Sequence, residues 1–370
     1  MKSNTPDIRL EVGSIPIGDR ALRNVTSVEF TESLKNTARL QVDIGGHDPF
    51  SIKWDELTLG TEVKLWMGYA NDLSHIFTGD IVQIMPKASA NGASLSLEVL
   101  DNSYILKKKP EPTMYTSDKF TSLYDIAKFV AQKYDMEIDI TPYGKLQKYV
   151  LQDDQSIDQY NDTDWQLLGE MADTQKLYLF VRHNKIYMVD KDYLVRHQQE
   201  RLLFVYRPER VDVEYGTVIP LYTFNPMLDL QGQREKVTVI SWTYREGEDP
   251  VSEQEATDPN TGGDVYTEIK IRHRKIETIR VKGLVRTKEH AKAWAEAELQ
   301  RRAERRVVAD ASCMGVHLVH PGDMHYFRMN EFGDIGLKYS GQYFLEEVTH
   351  RINQDGYVMD MKLSRPGLSQ

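Results

Sequence analysis

The sequence predicts a mainly β protein with an α+β insert: two similar small β-barrels linked by a helix-and-hairpin segment. Three observations predict it. Short alternating strands separated by turn residues dominate residues 7–106 and 201–370. A stretch with helical periodicity interrupts them between 107 and 200. The last β stretch also repeats the plan of an earlier one. Gly322–Arg365 reads as three strands: Met324–Met329 after Pro321-Gly322-Asp323, Gln342–His350 after Gly341, and Tyr357–Leu363 after Asp355-Gly356, a hairpin signal. In the earlier copy Gly60-Thr61-Glu62 opens Val63–Tyr69, Gly79 precedes Asp80–Pro86, and Asn91-Gly92 turns into Ala93–Leu100. Gly60 and Gly79 are as far apart as Gly322 and Gly341. The competing reading is two unrelated sheets built from the same short menu of strand and loop lengths.

The rest of the chain follows in order. Asp7–Val12 alternates, and Val25–Phe30 and Ala38–Ile44 flank a polar turn at Glu32–Asn36. Gly45–Pro49 is loop by composition, and Lys107–Pro112 is a charged, proline-bearing boundary. Ser122–Tyr134 is a helix, with Leu123, Ile126, Ala127, Val130 and Tyr134 on one face and Ser122 with Asp125 as cap. A second helix starts at Asp162-Thr163-Asp164, burying Trp165, Leu168 and Ala172. It leads into a hairpin, Leu177–Val181 and Ile186–Val189, turning at His183-Asn184. Phe204–Tyr206, Val211–Tyr215, Val237–Tyr244 and Val265–Val281 are strand-like, and the acidic Glu246–Asp264 is expected to be an exposed loop. Thr287–Arg306 is the clearest helix, with Ala291, Trp294, Ala295, Leu299 and Ala303 as its buried stripe and Thr287 as cap. Its terminal Arg301, Arg302, Arg305 and Arg306 suit the negative end of the helix dipole. The expected units are residues 1–106, a first barrel; 107–200, the insert; and 201–370, a second barrel carrying a strand-and-loop region around 240–285.

Composition bounds the function. A chain of 370 residues with 40% hydrophobic and 28% charged residues has room for two to four cores, and its mean hydropathy of −0.52 fits extensive polar surface. No run is long and apolar enough for a membrane span, and the N-terminal MKSNTPDIRLEV has no secretory pattern. The single Cys313 rules out an internal disulfide framework and reads as a buried thiol in a reducing cytoplasm. A net charge of −10 argues against general nucleic-acid binding. No phosphate-binding glycine loop, dinucleotide fingerprint or nucleophile elbow occurs. His317, His320, Asp323 and His325 are the one tempting metal set, but Pro321-Gly322 breaks the helix that such spacing would need. No residue is therefore assigned as catalytic, cofactor-binding or metal-binding, and no cofactor is expected.

One run of motifs resembles a known family. It comprises the helix Thr287–Arg306, Pro321-Gly322-Asp323, Ser340–His350 (SGQYFLEEVTH), Asp355-Gly356-Tyr357 and Leu363-Ser364-Arg365. Asp164–Leu168, Val237–Trp242, Gly68-Tyr69 and Phe77–Val82 also fit. In this order they resemble the phage late control D family, baseplate hub proteins of contractile tails, akin to the N-terminal part of VgrG-type spike proteins. The resemblance spans nearly the whole chain. It implies a homotrimer in which two barrels per chain form a ring of pseudo-sixfold symmetry, adapting a sixfold tail tube to a threefold central spike. Implied partners are the tube or tube-initiator ring, the spike and other baseplate wedge proteins, with DNA only as transiting cargo and no membrane insertion. Separately, the net charge of −10 suggests an acidic inner wall that would keep passing DNA from sticking. The implied location is the virion tail baseplate, assembled in the host cytoplasm. VgrG-like chains continue into further spike domains. This sequence stops at Gln370, from which a separate spike polypeptide is expected. The alternatives are the hub of a phage-like secretion or injection system, a peptidoglycan-degrading tail enzyme, and a two-barrel carbohydrate adhesin.

Overall fold

A computed structural model describes residues 5–13, 15–16, 24–45, 57–70, 72–89, 92–108, 112–142, 146, 156–207, 218–228, 236–242, 251–257, 277–281 and 288–368. The expected strand at Val211–Tyr215, most of that at Val265–Val281, and the Thr287 cap lie outside the described residues.

The first β unit contains β1 (Pro6–Val12), β2 (Ile15–Pro16), β3 (Val25–Ser33), β4 (Arg39–Gly45), β5 (Glu62–Tyr69), β6 (Asp72–Ser89) and β7 (Gly92–Leu100). Period-two alternation sends Leu40, Val42 and Ile44 of β4 inward, where they meet Phe30, Leu65, Met67, Ile81 and Val99. Burying one such side chain is worth about 1.5–3 kcal/mol, so the alternation is enough to select the face. The expected turn beginning at Glu32 is corrected: β3 runs through Ser33, and Glu32 is a buried strand residue.

The insert comprises α1 (Ser103–Leu106), β8 (Thr113–Thr116), α2 (Leu123–Lys133), β9 (Glu137–Thr141), β10 (Ser156–Gln159), α3 (Asp164–Thr174), β11 (Tyr178–Arg182), β12 (Lys185–Val189) and α4 (Lys191–His197). Both principal helices begin with a reciprocal capping box, Ser122 with Asp125 and Thr163 with Gln166. Their apolar faces pack with Ile186 and Met188 of the hairpin. The hairpin gains a parallel third strand, β9, which sequence alternation did not reveal.

The second β unit contains β13 (Leu203–Tyr206), β14 (Val218–Leu228), β15 (Lys236–Trp242), β16 (Val251–Thr257), β17 (Glu277–Val281), α5 (Lys288–Ala303), β18 (Val307–Met314), β19 (Met324–Met329), α6 (Asp334–Tyr339), β20 (Gly341–Asn353) and β21 (Gly356–Arg365). Strands β13-β14-β18-β21-β20-β19 close on themselves into a six-stranded barrel, filled by Phe204, Phe224, Phe327 and Tyr343. β15, β16 and β17 form a separate sheet, whose Val237 and Val239 pack on Ala291, Ala295 and Leu299 of α5. Part of the acidic stretch expected to be loop is thus strand β16. Three further elements of this unit went unread: α6, inside the expected three-strand run; β18, directly after the expected helix; and β14, whose Pro220 and Pro226 argue against a central strand.

The two units have the same strand order. The first reads β3-β4-β7-β6-β5-β1 across the sheet, the second β14-β18-β21-β20-β19-β13. Each strand occupies the same rank along its own part of the chain. Local irregularities also coincide. A bulge follows Ile81 in β6 and Leu345 in β20; another follows Val25 in β3 and Leu221 in β14. Gly60 N donates to Ile81 O at 2.8 Å and Ile81 N to Thr61 O at 3.0 Å. Gly322 N donates to Leu345 O at 2.8 Å and Leu345 N to Asp323 O at 2.9 Å. Both glycines have positive φ, +82° and +100°, which a residue with a Cβ seldom adopts. From Ile81/Leu345 the copies run without insertion through Gly92/Gly356 to Leu100/Ser364.

The equal glycine spacing was partly misleading. Gly79 does not open a strand but lies inside β6, and its counterpart is Tyr343, not Gly341. A Cβ at Gly79 would overlap the Leu100 carbonyl and the Phe77 ring. The units also differ in their first strand. β1 is antiparallel to β5, whereas β13 is parallel to β19 and closes the ring against β14. No β1–β3 pairing occurs among the described residues.

Candidate assembly site

The two units meet along a β seam. Glu347–Asn353 of β20 pair antiparallel with Ser27–Ser33 of β3, so both units belong to one thirteen-stranded sheet. The Thr31 and Thr349 hydroxyls lie 3.0 Å apart across it. Arg351 Nε donates to Glu29 Oε2 at 2.7 Å, and its Nη1 reaches Asp360. Inside, the Phe30 and His350 rings stack with centroids 6.1 Å apart. Each such cross-strand pair is worth about 0.2–1 kcal/mol.

The insert hairpin is anchored on this seam. Leu34 beyond β3, Phe180 of β11, Val189 of β12, Leu194 of α4 and Phe344 of β20 form one apolar cluster from all three parts. Beside it sits the buried Glu32 carboxylate. Arg182 Nε donates to Glu32 Oε1 at 2.7 Å, and His320 Nδ1 lies 3.0 Å from Oε2. Burial works to raise the Glu32 pKa, but the Arg182 guanidinium and the His320 ring outweigh it and hold the carboxyl at about 2. One carboxylate therefore ties a strand of the first unit to the insert and to the second barrel.

His350, fully buried, faces Tyr357, whose Oη is 2.9 Å from Nδ1. Burial, followed by the neighbouring His320, pushes the ring down to about 3. Nearby, Tyr69 donates its hydroxyl to the Gly315 carbonyl at 2.7 Å and lies against Tyr357. This contact clasps the end of β5 to the second unit.

The histidine–aspartate set considered for metal binding is divided among separate tasks. His317 is buried with neither ring nitrogen partnered among the described residues. His320 serves Glu32, while Asp323 Oδ2 accepts from the His320 backbone N–H at 2.8 Å. His325 Nδ1 accepts from Leu202 N at 3.2 Å, and its Nε2 is 3.7 Å from Asp323. Among the described residues no group of three His, Cys, Asp or Glu side chains is placed to hold a metal ion. Cys313 is buried inside the barrel, and burial raises its thiol to about 12, far from a reactive thiolate. The terminal arginines make ion pairs: Arg301 with Asp173 and Glu298, Arg302 with Glu298, and Arg305 with Glu346. The Arg301–Asp173 pair binds α5 to the insert, and Arg305, just beyond α5, binds the chain there to β20.

Two strand edges remain open among the described residues. β14 pairs with β18 along Leu221–Leu228, but with β13 only as far as Leu221. Tyr222 and Met227 on this strand are 57% and 58% exposed. β6 pairs with β5 only from Asp72 to Asp80, leaving Gln83–Ser89 bonded to β7 alone. Beside β14 lies an open cleft of about 1050 Å³, lined by Met227, Arg301, Arg305, Phe332, Ile335 and Tyr339 among others.

Sequence reasoning missed the residues of the junction. Glu32, Arg182, His320 and His350 come from distant segments with no shared motif. The one available signal was the charge of Glu32 within an otherwise alternating strand.

Solved structures share the fold. A tail protein from Neisseria meningitidis MC58 superposes with a TM-score of 0.69 at 14% identity, covering 98% of this chain and 97% of that one. The 43 kDa tail protein of prophage MuSo2 from Shewanella oneidensis gives 0.67 at 13%, covering 99% and 100%. The E. coli c3393 protein, a component of the type VI secretion system described as structurally similar to the T4 tail proteins gp27 and gp5, gives 0.52 at 11%, covering 98% and 76%. No curated protein matches in sequence. The architecture is thus one found in phage tail proteins and in a type VI secretion component. A family model described as the Alg8 N-terminal domain matches residues 49–354, from before β5 into β20, and on that match the chain belongs to the Alg8 N-terminal domain family.

Proposed function

We propose that this chain is the hub of a contractile-tail baseplate: a homotrimer that adapts a sixfold tail tube to a threefold central spike. The carrying observation is the shared strand order with two coincident bulges. One chain holds two like walls, and three chains would present six to a hexameric ring. The tail-protein folds found by comparison support the same reading, as does the late control D resemblance. In this reading residues 1–106 and 201–370 are the ring-forming units, and 107–200 is the insert that braces them. The role is structural, exercised in the virion tail with tube, spike and wedge proteins as partners and DNA as passing cargo. The type VI likeness favours a second reading, the hub of a phage-like secretion or injection machine, which demands the same ring. The genes flanking the coding sequence separate the two.

The test is native mass measurement of the purified chain, alone and mixed with the spike protein. The expected result is a species of three times the 42.8 kDa chain mass, with ring-shaped particles of apparent sixfold symmetry. A monomer in both samples overturns the proposal. Suspended peptidoglycan incubated with the chain is expected to keep its turbidity; clearing would replace the structural role with the enzymatic one.

A further inference from the structure

The seam inside the chain has a vacant counterpart at each end of the chain's own repeat. β20 contributes Glu347–Asn353 to the seam; the matching part of the first unit is Gln83–Ser89 of β6, whose edge is open among the described residues. β3 contributes Ser27–Ser33; the matching part of the second unit is β14 from Thr223 onward, also open on that side. Both missing halves of a second seam are therefore present on one molecule, on different units.

We propose that the open edge of β14 pairs antiparallel with the open edge of β6 in a second copy of this chain, reproducing the internal seam between molecules. This rests on the ring reading above and names the surfaces that would close the ring. The contact is heterologous, because the two edges are different strands. Repeating it gives a closed ring or an open chain of molecules rather than a twofold dimer.

The internal seam fixes the register. Ser27 faces Asn353, Glu29 faces Arg351 and Thr31 faces Thr349. Carried through the repeat, Thr223 faces Ser89, Asn225 faces Lys87, and Met227 faces Met85 of the neighbour. Exposure agrees with an occupant. The seam positions Phe30, Val348 and His350 are 1%, 0% and 0% exposed. Their counterparts Pro226, Ile84 and Pro86 are half-buried, half-buried and exposed. Where the internal seam places a Thr–Thr hydrogen bond, the intermolecular one places two methionines. Desolvating that pair supplies apolar contact in place of a polar one. Pro86 and Pro226 would face each other, so that rung carries no N–H bond and the pairing depends on the rungs around it. The same prolines hinder either edge from pairing indiscriminately with other strands.

The experiment is disulfide trapping in the full-length chain. Met85→Cys/Met227→Cys, mildly oxidised and run without reductant, is expected to yield covalent dimers and trimers, with the ladder stopping at three. Met85→Cys and Met227→Cys alone should remain uncrosslinked, because like edges do not meet. Thr31→Cys/Thr349→Cys serves as an internal reference and should crosslink within one chain. The buried Cys313 takes no part. Native mass and thermal melting before oxidation establish that each variant is folded and assembled. A trimer that gives no Met85–Met227 crosslink overturns the edge assignment and leaves the ring reading standing. Crosslinking of a single variant overturns the heterologous geometry. A wild type that is monomeric at every concentration and with the spike, and whose double variant gives no crosslink, overturns both.

Discussion

Glu32→Ala is expected to cost about 3 kcal/mol of folding stability, the scale for removing one partner of a buried ion pair. The loss has two sources. Arg182 and His320 keep their positions but lose the carboxylate that neutralises and bonds them. Removing the buried Glu32 methylenes also leaves a void. The damage should concentrate where three parts of the chain meet. Amide hydrogen exchange is expected to accelerate in the β11–β12 hairpin, Tyr178–Val189, more than in the cores around Leu65 or Phe327. Glu32→Gln, which keeps the volume and removes the charge, separates the two sources. Denaturant melts with unchanged midpoints for both variants would show that the carboxylate is not what ties the junction.

A comparable loss is expected from acid. The His350 ring has a folded-state pKa of about 3, depressed by burial, against about 6.5 in the unfolded chain. Above pH 6.5 both states hold the neutral ring and no cost arises. As pH falls below 6.5 the unfolded chain takes up a proton that the folded chain refuses. Stability therefore declines until pH approaches 3. By pH 4.5 this one residue should have removed about 3 kcal/mol relative to pH 8. The groups facing it are Tyr357, Phe30, His320, Glu32, His317 and the Val319 carbonyl. His317, also depressed by burial, adds to the same slope. Glu32 acts in a lower window. Its pKa is depressed to about 2, so its contribution is intact above about pH 4.5 and lost from there downward. His350→Phe retains a ring against Phe30 and cannot titrate. Its stability should vary less steeply than the wild type's between pH 6.5 and 4.5. An equal slope in the two proteins would refute the assignment.

Much of the fold was legible because local chemistry and tertiary position agree. Ser122 and Thr163 are good caps followed three residues later by a side chain that can reach back, and both start helices. Leu40, Val42 and Ile44 alternate, and all face the core. The repeat was legible through Gly60 and Gly322, whose backbone conformation is demanding. Gly79 was misread because a glycine in a strand can mark close approach of another backbone as readily as a turn. β14 was hidden by its prolines: Pro220 lies in the short segment paired with β13, and Pro226 on an open edge that tolerates it. Part of the acidic segment formed β16 because pairing with β15 overrode a composition typical of loops. The junction was illegible for a different reason. Glu32, Arg182, His320 and His350 acquire their meaning only from contacts between segments far apart in sequence, and no local pattern encodes those.

The seam also has a consequence for biosynthesis. It pairs residues 27–33 with residues 347–353, so β3 emerges from the ribosome long before its partner is translated. Until then the nascent protein carries β3 with one side bare, in a topology where distant pairings make folding slow. Premature termination anywhere upstream of β20 would strand that side permanently. Quality control in the producing cell then faces a sticky fragment rather than a smaller working part.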